Sequence, residues 1–146
     1  IVSLCITVSW PSTLEDREVA GIAMAVQQIS SLKSFTLDFE ENKSIGDESA
    51  VALANAIKEH NTLESFDIAA RETSIGAKGW VAIFRAVFNL QQCRIIADDC
   101  DIGDSVHQAA VDVIRRSQSL VSFTYSVSSC GGVRDDTGIA MADAIG

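Results

Sequence analysis

The densest run of reactive side chains in this chain is Asp98-Asp99-Cys100-Asp101-Ile102-Gly103-Asp104. Oxygen-rich loops of this kind hold hard cations such as Ca²⁺. The spacing fails the EF-hand pattern, because counted from Asp99, where the D-x-D spacing fits, Gly103 arrives one position early and no closing Glu follows. The run therefore reads as a solvated loop ending in a helix start. His60, in Lys58-Glu59-His60-Asn61, and His107 have no Cys or His at metal-ligand spacing. His60 closes a helical segment, where a basic group suits the helix dipole. Serines are plentiful, yet no G-x-S-x-G elbow occurs, and neither a P-loop nor G-x-G-x-x-G is present. Gly131-Gly132 reads as a loop adjustment before Val133. The expectation is a non-enzyme with no catalytic residue, no metal and no cofactor.

A register thirteen residues long explains what those residues are doing. It runs five times between aliphatic markers: Leu14 to Val26, Ile45 to Ile57, Ile75 to Val87, Ile102 to Ile114, and Val133 to Ile145. In the second copy Ala52, Leu53, Ala56 and Ile57 make one helical stripe, with polar Asn55, Lys58 and Glu59 beside it. Gly21, Ile22, Ala25 and Val26 repeat it, as do Ala82, Ile83, Ala86 and Val87, and then Ala109, Ala110, Val113 and Ile114. Ala140, Met141, Ala144 and Ile145 close the series.

Ahead of each marker lies a segment alternating with period two, the mark of a half-buried strand. Inward positions are Leu4, Ile6, Val8; Phe35, Leu37, Phe39; Phe66, Ile68, Ala70; Cys93, Ile95, Ala97; and Phe123, Tyr125, Val127. The strand-to-strand steps are 31, 31, 27 and 30 residues. Strand, turn and helix in so few residues require parallel strands with helical crossovers, stacked as a solenoid. The short third step predicts an early end to the third helix or a shifted fourth strand. Gly46, Gly76 and Gly103 are expected to supply an unusual backbone angle before their helices, with Asp47 and Asp104 capping the helix starts.

The pattern L-x-x-F-x-L followed by I-G-D-E-S-A-V-A-L-A-N-A-I resembles leucine-rich repeats of the ribonuclease-inhibitor-like class, over essentially the whole chain. The resemblance implies an α/β, right-handed βα solenoid, a horseshoe with a parallel sheet on the concave face and helices on the convex face. It also implies binding of macromolecules rather than catalysis. The loop Asn of that class survives clearly only as Asn42, with Cys100 and Cys130 as stand-ins, and the strand-to-helix loops are a residue or two longer than its short form. Residues 1-146 read as one repeat domain of five βα units, about 1-31, 32-62, 63-89, 90-119 and 120-146. With no polar capping element at either end, the chain is expected to belong to a longer solenoid.

Net charge of −9 disfavours nucleic acid, and no run of eighteen apolar residues suggests a membrane span. Ile1 to Val8 lacks a basic leader and matches the other strands, so no signal peptide is expected. Four cysteines in 146 residues make no disulfide framework, and a reduced cytoplasmic protein is expected. Only Cys100 and Cys130 would be brought together by stacked loops.

The outward strand positions form columns: Ser3, Ser34, Ser65, Gln92, Ser122; Cys5, Thr36, Asp67, Arg94, Thr124; Thr7, Asp38, Ala69, Ile96, Ser126; and, at the rim, Ser9, Glu40, Arg71, Asp98, Ser128. The leading expectation is a scaffold that binds a protein partner on this concave face through Thr36, Asp38, Glu40, Asp67, Arg71, Arg94, Asp98 and Thr124. The face lacks the aromatic anchors of tight interfaces. Trp10 and Trp80 are therefore the anchors to weigh elsewhere, against simple packing. The alternatives are assembly through uncapped solenoid ends, or a regulator similar in length and repeat number to actin-capping proteins.

Overall fold

The computed structural model describes residues 2–8, 14–100 and 102–128. Within them five strands alternate with four helices: β1 (Ser3–Thr7), α1 (Asp16–Gln28), β2 (Ser34–Asp38), α2 (Asp47–Glu59), β3 (Ser65–Ala69), α3 (Ala77–Ala86), β4 (Gln92–Ile96), α4 (Asp104–Arg116) and β5 (Ser122–Ser126). The strands form one parallel sheet in the order β1-β2-β3-β4-β5. This is an α/β solenoid with a parallel sheet on one side and helices on the other. The fifth helical copy, Val133 to Ile145, lies outside the described residues, as do Ser9, Trp10, Asp101 and Cys130.

Alternation sets the sheet. Phe35, Leu37, Phe66, Ile68, Cys93 and Ile95 are buried, and their neighbours on the opposite face are not. Phe35 and Phe66 stack across β2 and β3 with ring centroids 5.8 Å apart. Cys93 and Ile95 keep the inward register in β4, and the short third step appears as a short α3, ten residues against thirteen for the other helices.

The helical stripe is wider than the thirteen-residue register suggests. Ala50, Ala54, Trp80 and Phe84 are buried too, because α2 and α3 cover the sheet and also touch a helix on either flank. The first helix shows the converse: Gly21 and Ala25 stay exposed on its uncovered flank. A Cβ added at Gly21 meets nothing within 4 Å. Alanine forms helix better than glycine by about 0.5–1 kcal/mol. Gly21→Ala is thus expected to raise stability by about that amount, read as a higher urea midpoint at constant slope.

Two expectations about the turns need correction. Gly46, Gly76 and Gly103 are the helix N-caps, yet their φ values of −127°, −98° and −107° are ordinary extended backbone. The left-handed residues come earlier in each loop, at Glu41 (φ 62°), Glu72 (φ 55°) and Asp99 (φ 55°). Each donates its N–H to the following repeat, Glu41 to the Arg71 carbonyl, Glu72 to Asp98 and Asp99 to Ser128. Those bonds between repeats offset the cost of an unfavourable angle.

Asp47, moreover, does not cap its own helix, where it is the first helical residue. Its Oδ1 accepts instead from Gly76 N–H and Gly79 N–H of α3, both at 2.9 Å. Asp16 does the same one repeat earlier, accepting from Gly46 N–H at 3.0 Å, Ser49 N–H at 3.2 Å and the buried Ser49 hydroxyl. Each aspartate satisfies orphan donors of the next helix. A side chain read as local capping is a latch between repeats. The series breaks at α3, whose first residue is Ala77.

The loop column carries a related ladder. The Asn42 amide donates to the Leu14 carbonyl oxygen at 3.2 Å and accepts from the Leu14 N–H at 2.8 Å. Thr73 Oγ1 donates to Ala70 O at 2.9 Å, and the buried free thiol of Cys100 lies 3.3 Å from the same oxygen. Cys100 thus stands in for Asn, and Thr73 is a stand-in the sequence reading missed. Burial pushes the Cys100 thiol up from its ordinary pKa, as it does Cys93, which reaches about 12. Neither is a reactive thiolate.

Candidate functional site

The strand register builds the face residue by residue. Cys5, Thr36, Asp67, Arg94 and Thr124 are successive partners across the sheet, and so are Thr7, Asp38, Ala69, Ile96 and Ser126. Parallel neighbours sit about 4.8 Å apart, so the central row is a continuous polar strip. Glu40, Arg71 and Asp98 follow the strand ends and make the rim. The structure therefore brings all eight expected residues onto one side of the molecule.

Several of their side chains already hold partners on or beside this face. Arg94 Nη1 reaches the Asp67 carboxylate at 3.2 and 3.3 Å, with the arginine side chain 53% exposed and the aspartate 29%. Arg71 lies 3.4 Å from both Glu41 and Glu72, and Lys33 bonds Glu64 at 2.7 Å. Exposed pairs of this kind add at most about 1 kcal/mol, so they hold side chains in place more than they hold the fold together. Asp38 Oδ1 accepts from Glu40 N–H at 3.3 Å. Lys33, Glu64, Glu41 and Glu72 were missed in the sequence because they flank the strict alternation.

Asp98 has a structural duty as well. It accepts from the Ser126 hydroxyl at 2.8 Å and from Ser128 N–H at 2.7 Å, closing the turn after β5. Partial burial raises its pKa, but the Ser126 and Ser128 hydrogen bonds and Arg71 outweigh it, and the net shift is downward. Asp16 behaves alike: burial opposes, and the bonds from Ser49 and Gly46 win. The acidic loop is accordingly an anchor between repeats. Among the described residues no group of three His, Cys, Asp or Glu side chains is placed to hold a metal ion.

The histidines are structural. His60 Nε2 lies 3.0 Å from the Ile29 carbonyl oxygen, across to the first repeat. His107 is buried, with Nδ1 3.2 Å from the Tyr125 hydroxyl. Burial pulls the His107 pKa below 6.5, partly countered by Asp104. All three lowered groups (His107, Asp98 and Asp16) make the unfolded chain bind more protons than the native one as pH falls. Stability should therefore decline below pH 6.5, where His107 charges in the unfolded chain, and further below 3.8 as the two aspartates protonate. Urea midpoints across pH 7 to 3 should show the stability gap between wild type and Asp16→Ala narrowing only in the lower window.

Comparison with known proteins rests on the fold. No family model matches the sequence, and no curated protein does. The solved structure of leiomodin-1 actin-binding site 2 superposes over 99% of this chain and 78% of its own, with a TM-score of 0.70 and 17% identity. The tropomodulin C-terminal domain from Caenorhabditis elegans covers 99% of this chain and 82% of its own, with a TM-score of 0.68 and 15% identity. At such identities the likeness is one of fold, and the fold is related to leucine-rich repeats. Among the described residues no helix is long and apolar enough to cross a membrane.

Proposed function

We propose that this chain is a non-enzymatic protein-binding module, and that its partner is actin. The observation that carries the reading is the superposition, over 99% of this chain, on leiomodin-1 actin-binding site 2. Support also comes from the sheet face, a polar strip centred on the preformed Asp67–Arg94 pair. The contact surface in this reading is Thr36, Asp38, Glu40, Asp67, Arg71, Arg94, Asp98 and Thr124, in a cytoplasmic protein.

Co-sedimentation with actin filaments and fluorescence titration of monomeric actin test the partner. Saturable binding of one form is expected, and binding of neither overturns the proposal. The surface is tested by Asp67→Arg/Arg94→Asp, which keeps the cross-strand pair while inverting its direction. A loss of about tenfold in affinity, about 1.4 kcal/mol, is expected. Unchanged affinity moves the contact off the strands.

One observation favours a second reading, association through the first repeat. Leu4 and Ile6 on β1 are only half-buried, where Leu37 and Ile68 on inner strands are fully buried. End-on stacking covers such residues, and light scattering after size exclusion detects it. A monomer at every concentration removes this reading.

A further inference from the structure

The helix side carries a feature that the actin reading leaves unused. Val81, Arg85 and Phe88, along α3 and the turn after it, face Gln108, Asp112 and Arg116 of α4 across a groove of about 420 Å³. A second depression of about 300 Å³ lies beside the C-terminal ends of α2 and α3, where Lys58, His60 and Asn89 join Arg85 and Phe88. Arg85 and Phe88 line both, so the short third helix ends on a ridge between two adjoining hollows.

The charges here differ from those of the strand face. Lys33, Arg71 and Arg94 are each paired with a carboxylate. Among the described residues the side chains of Lys58, Arg85 and Arg116 form neither ion pair nor hydrogen bond. The groove's carboxylate, Asp112, accepts from Gln108 Nε2 at 3.3 Å. Each free cation sits in the last turn of its helix, where it suits the dipole. Dipole compensation alone needs no apolar floor, however, and half-buried Phe88 with Val81 provides one. Unpaired cations around an apolar floor, on a chain of net charge −9, are complementary to a ligand with the opposite signs.

We infer that this groove docks an acidic amphipathic segment of a partner protein. Its carboxylates meet Arg85, Arg116 and Lys58, and an apolar side chain seats over Phe88 and Val81. This is helix-in-groove recognition with electrostatic selection, on the side of the molecule opposite the strands.

The test is fluorescence anisotropy of a labelled amphipathic peptide composed of Glu, Asp, Leu and Phe, added to the full chain. Saturable binding that weakens with salt is expected. Arg85→Glu and Arg116→Glu, both at exposed positions, should each weaken it by about tenfold. Asp67→Arg/Arg94→Asp should leave it unchanged, which separates this site from the strand-face contact. Three results overturn the inference: no binding, binding indifferent to both arginine reversals, or equal binding of a peptide with its Leu and Phe replaced by Ser. Displacement of the peptide by a single-stranded oligonucleotide that binds more tightly also overturns it, and would mark a polyanion site.

Discussion

Trp80→Ala is expected to lower folding stability by about 3–5 kcal/mol, the usual cost of truncating a buried tryptophan. Trp80 is the largest fully buried side chain among the described residues, with no surface exposed. It lies on α3, where its side chain joins the single core between sheet and helices. In a stacked array each repeat is held mainly by its neighbours, so a cavity under α3 weakens its contacts with α2 and α4 together. A domain of this size has about 5–15 kcal/mol in all, and the variant should sit near its unfolding threshold. Among the described residues the buried Trp80 Nε1 meets no hydrogen-bond acceptor, so part of the tryptophan is itself unfavourable. Trp80→Phe removes that buried donor along with some volume and should cost much less, about 1–2 kcal/mol. Chemical denaturation followed by circular dichroism gives both numbers. A mild effect of alanine would mean the indole is not a core group. Partner binding retained by Trp80→Phe would exclude it as an interface anchor.

The position of Trp80 shows what the sequence discloses and what it withholds. Strand register was legible because period-two alternation has one solution per strand: Phe35, Phe66 and Cys93 fall in line, and the polar columns follow automatically. The full buried face of each helix was not, since the register marks only the positions common to all copies. Ala50 is buried where α2 approaches Gly79 of α3, and Phe84 meets Phe123 and Tyr125 of β5, so their neighbours are set by tertiary stacking. The aspartates show the same limit. Asp47 in Ile45-Gly46-Asp47 looks like a local cap, and nothing within its own repeat reveals that its acceptor oxygen faces Gly76 and Gly79 some thirty residues on. The left-handed Glu41, Glu72 and Asp99 carry no glycine to announce them. The strand positions of the candidate face follow from the register, while the Arg71 pairs with Glu41 and Glu72 became visible only in three dimensions.

Gly79→Ala should destabilise the fold by about 2–4 kcal/mol, although alanine is the better helix former. A Cβ at this position would lie 2.6 Å from Asp47 Oδ1, 2.7 Å from Ala50 Cβ and 2.9 Å from Ile75 Cγ2. Two of those atoms belong to α2, so the contact is the close approach of two helices and no rotamer change relieves it. Overpacking of this kind costs about 1–3 kcal/mol. Displacing the Asp47 carboxylate also puts its two N–H bonds at risk, each worth about 1–2 kcal/mol. Against this stands about 1 kcal/mol of helix propensity, which is too small to change the sign. Gly21→Ala is the internal control, the same substitution on a helix with open space around it. Opposite signs at the two glycines would separate packing from propensity in one chain. Adding Ala50→Gly to Gly79→Ala removes one of the three short contacts and should recover part of the loss, a non-additivity expected of touching residues. If both glycine substitutions stabilise equally, α2 and α3 are not packed as closely as Asp47 and Ala50 indicate, and the latch between repeats loses its basis.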